Sequence, residues 1–240
     1  MTGHMEAYWL EQTEADVPAE DQWLSAEEMS RLAGLRFRKR RTEWRLGRWT
    51  AKRAVAACLN LPDDVRSLQD IEILAAPCGA PEVFLFNERT GVSLSLSHRA
   101  GTALCVVGLS GLNLGCDLEL VEPRDDCFVD DFFTANEQTL VERAPGDERP
   151  MLATLVWSAK ESALKALHVG LRVDTTLLDV SPTGADLHQG RESSGDVSVW
   201  SPLSLRSCVP NGSGGQIFHG WWRCANMMVR AVVVHDSLVE

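Results

Sequence analysis

The chain has 240 residues, 45% hydrophobic and 24% charged, the balance of a globular protein long enough for one large domain or two of about 100–130 residues. No apolar run approaches the roughly 20 residues of a membrane-spanning helix, and the glutamate-bearing start lacks a secretion signal's basic-then-apolar layout, so a cytoplasmic protein without membrane contact is expected. A net charge of −11 argues against a long nucleic-acid duplex as partner, and seven cysteines without a C-x-x-C read as reduced thiols, not a disulfide framework or zinc site.

Ser25-Ala-Glu-Glu28 is a capping-box pattern that starts a helix at Ser25, broken at Gly34. A second helix is predicted from Arg38 to Leu59, ended by Asn60 and Pro62. Nine of the 23 basic residues fall between Arg36 and Arg53, opposed only by Glu43. Arg41, Arg45, Arg48 and Lys52 make a basic stripe at helical spacing, beside an apolar stripe of Trp44, Ala51, Val55 and Cys58. One face packs and the other awaits an anion, either a small phosphorylated ligand or an acidic partner.

From Ile71 the texture turns to short strands: IEIL (71–74), VFLF (83–86), VSLSLS (92–97), ALCVVGL (103–109) and LNLGCDLEL (112–120). FFTANEQTLVERA (132–144) reads as a helix starting near Thr134 or Asn136. LVWSAKESALKALH (155–168) is a further helix, with Trp157, Glu161, Leu164, Lys165 and His168 on one face and Lys160 beside them. Those charges are either an ordinary i, i+4 pair on a partly exposed helix or a face turned toward a ligand. After Gly170 strands return, including RAVVVHD (230–236), among polar loops at 182–196 and 210–215. Helix-then-strands recurs in each half with a seam at GLSGLN (108–113), although no sequence repeat is obvious. The fold class is α+β, with an N-terminal lobe at 1–110 and a C-terminal lobe at 111–240. Trp200, Trp221 and Trp222 are expected in the core.

Asp117 and Glu119 stand two apart on a strand and so share a face. Two carboxylates that close call for a cation, and an all-oxygen pair suits Mg²⁺, although a solvated strand face is the commoner origin of D-x-E. Ser97 and His98 end a strand before Gly101, a place where a hydroxyl, an imidazole and backbone N–H groups can hold a phosphate; a surface turn is the plainer alternative. A serine nucleophile is disfavoured, because no G-x-S-x-G elbow is present.

Four stretches, in order, resemble the Sfp-type 4′-phosphopantetheinyl transferases, especially the group of the enterobactin-synthetase transferase: RKRRTEWRLGRWTAK (38–52), SLSHRAGTALCVVG (95–108), GCDLEL (115–120) and WSAKESALKAL (157–167). The resemblance implies a pseudo-dimeric fold of two similar α/β lobes, each a small, mostly antiparallel sheet packed with helices. It implies transfer of the phosphopantetheine arm of coenzyme A to a serine of an apo acyl or peptidyl carrier protein, releasing adenosine 3′,5′-bisphosphate. On this resemblance Asp117, Glu119 and Glu161 surround Mg²⁺, and Lys160 and Lys165 contact phosphates. Ser97 and His98 meet the 3′-phosphate and pyrophosphate of coenzyme A, Arg40 and Arg48 hold the nucleotide end, and Glu137 lies close to the metal site. Glu161 or a metal-bound water can serve as the general base, with Glu161 favoured, Lys165 positioning phosphate and Glu137 counted with them as catalytic. The length resembles the monomeric members, and the pathway (siderophore, nonribosomal peptide, polyketide or fatty acid) is left open.

One segment departs from the family pattern: APCGAP (76–81) has Cys78 and Ala80 where a lysine is common, and Arg99 could offset that loss. Two other readings stand beside the resemblance. One is another Mg²⁺-dependent phosphodiester-cleaving enzyme using the same D-x-E pair; the other is a non-enzymatic protein that presents the basic helix to nucleic acid.

Overall fold

A computed structural model describes residues 7–109, 112–169, 173–182, 200–207 and 216–235, so the predicted loops at 182–196 (beyond Pro182) and 210–215 lie outside the described residues. The chain divides into two compact units, Met1–Leu114 and Gly115–Glu240. Among the described residues no helix is long and apolar enough to cross a membrane.

In the first unit, strand β1 (Ala7–Thr13) is followed by helices α1 (Ala26–Gly34), α2 (Arg38–Cys58) and α3 (Val65–Asp70). Strands β2 (Ile71–Ala75), β3 (Pro81–Leu85), β4 (Glu88–Arg89), β5 (Ser93–Arg99) and β6 (Thr102–Gly108) complete it. They form two antiparallel sheets, ordered β1-β6-β5 and β2-β3-β4. Ser25 caps α1 as its sequence predicts, accepting from the Glu28 N–H while the Glu28 carboxylate accepts from the Ser25 N–H. The apolar stripe of α2, around Ala51, Ala54 and Val55, is buried with Ile71, Ile73, Leu94 and Val107 from the sheets.

The basic stripe of α2 differs from its prediction, because most of it is spent inside the unit. Arg41 donates to the Leu32 carbonyl at 3.0 Å. Arg45 holds Asp21 at 2.7 Å together with the Pro18 and Ala19 carbonyls. Arg48 stacks over Trp44 and lies 3.8 Å from Glu28, while Lys52 is fully buried against Glu28 at 2.5 Å. Only the start of the helix keeps its cations at the surface, with Arg36, Arg38, Lys39 and Arg40 exposed.

The second unit follows the same chain order. Strand β7 (Asn113–Leu120) leads to helices α4 (Asp126–Phe132), α5 (Ala135–Arg143) and α6 (Arg149–Ala166) and a 3-10 turn at Thr175–Leu177. Then come β8 (Leu178–Pro182), β9 (Ser201–Ser207), β10 (Gln216–Ala225) and β11 (Met228–His235), in one sheet ordered β7-β11-β10-β9-β8. Helix α6 is buried almost all round: Leu152, Leu155, Ala159 and Ala163 share a core with Phe218, Val229, Ala231 and Val233. Trp157 anchors it to α4, with ring centroids 5.0 Å from Phe128 and 5.2 Å from Phe132. Of the late tryptophans, Trp222 is core as expected, whereas Trp221 is 37% exposed and Trp200 carries the Arg223 guanidinium on its ring.

Laid side by side, the two units disclose a repeat that composition and spacing had hidden. WTAKRAVAACL (49–59) on α2 matches WSAKESALKAL (157–167) on α6, sharing the tryptophan, alanine, lysine and final leucine. Each helix is followed by a residue at positive φ, Asn60 at 53° and His168 at 55°. Each sheet has a two-residue hairpin with both turn residues at positive φ, Ala100–Gly101 in one and Asn226–Met227 in the other. The two sheets even close alike, with Glu14 N–H donating to Gly101 O and Val121 N–H to Met227 O. Sequence had also passed over β1, α3 and α4, which are too short for a clear period.

Replacing the α1 cap, Ser25→Ala, removes one reciprocal hydrogen bond and should lower stability by about 1 kcal/mol in a denaturant titration.

Candidate active site

The second unit gathers a cluster of charge at the meeting of β7 and α6. Gly115 sets its spacing: a Cβ there would lie 1.7 Å from the Ser162 carbonyl oxygen and 2.9 Å from the Ala166 N. Strand and helix therefore touch main chain to main chain, which only a glycine permits. Two residues further along β7 is Asp117, 2% exposed, and on α6 beside Ser162 is Glu161. One turn on, Lys165 donates to the Asp117 carboxylate at 2.7 Å and to the Cys116 carbonyl at 2.9 Å.

The electrostatics of this cluster are those of crowded carboxylates around one ammonium. Burial pushes the Glu161 carboxyl pKa up, Asp117 adds to the shift, and Glu119 raises it further, while Lys165 and Arg124 pull it down. Burial works against the Lys165 charge, but the Asp117 carboxylate, with Cys116 and Glu161, outweighs it and holds the lysine above its ordinary pKa. Asp117, Glu119 and Glu161 are an all-oxygen donor set whose mutual repulsion a divalent cation would relieve, so their chemistry fits Mg²⁺. In this structure Lys165 engages Asp117, and among the described residues no three His, Cys, Asp or Glu side chains stand in a ligating group.

Two residues assigned to this site by resemblance lie elsewhere in the unit. Lys160 is fully buried, and its ammonium donates to the Thr175 and Leu178 carbonyls at 2.7 and 2.8 Å and pairs with Glu137 at 2.7 Å. Glu137 accepts in turn from the Thr134 and Val180 N–H groups, both at 2.7 Å. An ammonium with three close oxygens and no exposed surface is not presented to a ligand phosphate. The physical reason is the helix periodicity: one step of 100° from Glu161 carries Lys160 into the core around an otherwise apolar helix.

In the first unit Ser97 is half-buried and His98 exposed, at the end of β5 opposite Leu104 and Ala103 on β6. The turn after them is the Ala100–Gly101 hairpin, with φ of 50° and 75°. Arg40 is exposed in the first turn of α2, while the Arg48 side chain is only 13% exposed and burial lowers its pKa. The departing segment at 76–81 forms a turn closed by Ala76 N–H to Ala80 O, with Gly79 at φ 92°.

Sequence reasoning missed Arg124, whose charge favours ionised Glu161 and whose guanidinium lies 4.7 Å above the Phe128 ring. It also borders a cleft of about 410 Å³ whose walls include Val129, Glu142 and Arg149. A lone arginine after Pro123 gave no periodic signal that could have singled it out.

A half-buried ammonium among carboxylates, on a strand and a helix locked at main-chain contact, has the charge and donors to meet an anionic group. Known proteins share parts of this region. Residues 113–201 match the family model of the 4′-phosphopantetheinyl transferase superfamily. A protein of Synechocystis sp. named "Putative 4′-phosphopantetheinyl transferase" is 27% identical over 222 residues, 91% of this chain and 87% of that one. Among solved structures, the holo-[acyl-carrier-protein] synthase of Helicobacter pylori in complex with coenzyme A is 23% identical, with a TM-score of 0.35, covering 44% of this chain and 100% of that chain. The corresponding synthase of Bacillus anthracis is 24% identical, with a TM-score of 0.38, over 44% of this chain and 96% of that one. Over residues 113–201, a little more than a third of its length, the chain is similar to the 4′-phosphopantetheinyl transferase superfamily.

Gly115→Ala should force β7 from α6 at Ser162, giving a marked fall in melting temperature and, for protein that still folds, loss of the Lys165–Asp117 pair. An alanine variant as stable as the parent would show that strand and helix can part without cost.

Proposed function

We propose that this protein transfers the 4′-phosphopantetheine arm of coenzyme A to a serine hydroxyl of an apo acyl or peptidyl carrier protein, in a Mg²⁺-dependent reaction of the Sfp type. The observation that carries the proposal is the Asp117–Glu161–Lys165 cluster, which lies within the residues matched to the transferase superfamily. In the reaction the carrier serine oxygen attacks the phosphorus that bears the pantetheine arm. The anhydride P–O bond breaks, and adenosine 3′,5′-bisphosphate leaves.

The enzyme supplies a proton acceptor and charge stabilisation, since the nucleophile belongs to the partner. Glu161 takes the serine proton; its burial beside Asp117 raises its affinity for that proton above an ordinary carboxylate's. Lys165 steadies the negative charge that grows on the departing phosphate oxygen. Asp117, Glu119 and Glu161 would hold Mg²⁺, which when bound neutralises charge on the anhydride. Ser97, His98, Arg40 and Arg48 hold the nucleotide end of coenzyme A on this reading.

The test is intact-mass spectrometry of an apo carrier protein incubated with the enzyme, coenzyme A and Mg²⁺, with an EDTA control. A metal-dependent gain of one phosphopantetheine arm is expected. Release of adenosine bisphosphate without any carrier would instead indicate a phosphodiester-cleaving enzyme. Glu161→Gln should slow transfer by about 100-fold or more while leaving coenzyme A affinity within a few fold. Unchanged turnover in that variant would remove Glu161 from the role of base.

A further inference from the structure

The buried Glu137–Lys160 pair, between α5 and α6, has a counterpart of the same chemistry in Glu28–Lys52, between α1 and α2. Lys52, fully buried, donates to the Trp23 and Leu68 carbonyls at 3.0 and 2.9 Å and pairs with Glu28 at 2.5 Å. Glu28 accepts from the Ser25 and Ile73 N–H groups. Lys160 likewise donates to two carbonyls and pairs with Glu137, which accepts from Thr134 and Val180 N–H groups. In both units the glutamate is the third helical residue of a capping box, and the N–H it takes from afar belongs to the first strand after the long helix. One carboxylate and two carbonyls thus meet on one ammonium in each unit.

The same superposition of repeats separates what the units share from what they do not. Glu161 and Lys165 correspond to Arg53 and Ala57 in the aligned helices. Aligning the matching sheet closures, Glu14 with Val121, sets Asp117 and Glu119 against Leu10 and Gln12. The candidate catalytic cluster is confined to the second unit, while the buried pair is common to both. A lysine kept by the unit that lacks the cluster serves the frame and not the cluster.

We infer that Glu137–Lys160 is a duplicated structural clamp and that Lys160 is a positioning residue, holding α6 to α5 and the start of β8 so that Glu161 and Lys165 face Asp117, and not a contact to substrate phosphate. This rests on the transferase reading for its kinetic consequence but not for its structural one. Burial opposes the charge on both partners, lowering the Lys160 pKa and raising that of Glu137, and each holds its charge through the other and through fixed hydrogen bonds. Removing one partner leaves the other charged and stranded in the core.

The experiment compares Lys160→Met with Lys52→Met in the full chain. Both variants should lose on the order of 10 °C in melting temperature, by matched amounts. Measured well below that melting point, Lys160→Met should lower kcat by about tenfold or more with KM for coenzyme A within about twofold, because the residues it positions act in the reaction step. Lys52→Met should leave kcat within about twofold. The double variant Lys160→Met/Glu137→Gln, which strands no charge, should regain much of the lost melting temperature; it also keeps the comparison readable if Lys160→Met alone fails to fold. A Lys160→Met protein with the parental melting temperature and a coenzyme A KM raised tenfold would overturn the inference and return Lys160 to the phosphate. If the parent transfers nothing to any carrier, the transferase reading fails, while the matched melting temperatures still decide the clamp.

Discussion

A lysine with no access to water holds each half of this protein together. Burying an ammonium is costly, and the cost is met only where several oxygens are fixed in advance at hydrogen-bond distance. Glu28 and Glu137 supply that fixity because each is already tied down as the third residue of a capped helix. The lysine can then collect a loop carbonyl, a helix cap and a distant strand into one polar knot inside an apolar core. Everything else in each unit, from the long helix to the sheet beneath it, is packed around a point whose geometry tolerates little drift.

Because the knot is duplicated, the protein offers an internal control on its own chemistry. The unit with Leu10, Gln12, Arg53 and Ala57 folds on the same plan as the unit with Asp117, Glu119, Glu161 and Lys165. The carboxylates and Lys165 are therefore additions to a frame that stands without them. A charged side chain that folding does not need, held in a low-dielectric corner, has to be accounted for by what it meets.

Much of this was legible in the amino-acid order, and the illegible parts have identifiable causes. The capping box at Ser25, a helix start near Thr134 or Asn136, the long α2 helix and the alternating strands announced themselves, because caps and periods are local signals. The adjacency of Asp117 and Glu161 came from family resemblance, since no local rule joins residues 44 positions apart. Helical spacing misled twice. It read the α2 cations as one anion-binding stripe, when Arg41, Arg45 and Lys52 find oxygens within their own unit. It also grouped Lys160 with Glu161 and Lys165, since a wheel shows direction but not which directions are solvent. The repeat escaped notice because it survives mostly as small residues around one lysine, a pattern with meaning only once the lysine's partners are known.

The main-chain contact at Gly115 has a consequence for how this protein could change over time. Where two elements are spaced by interlocking side chains, every exchange in the core alters their separation. Here the separation of β7 and α6 at Ser162 is set by backbone atoms, which no substitution other than at the glycine itself can resize. The surrounding core is thus free to vary in volume while the gauge between the two reactive segments stays constant, and sequences far apart in identity can keep the same working distance.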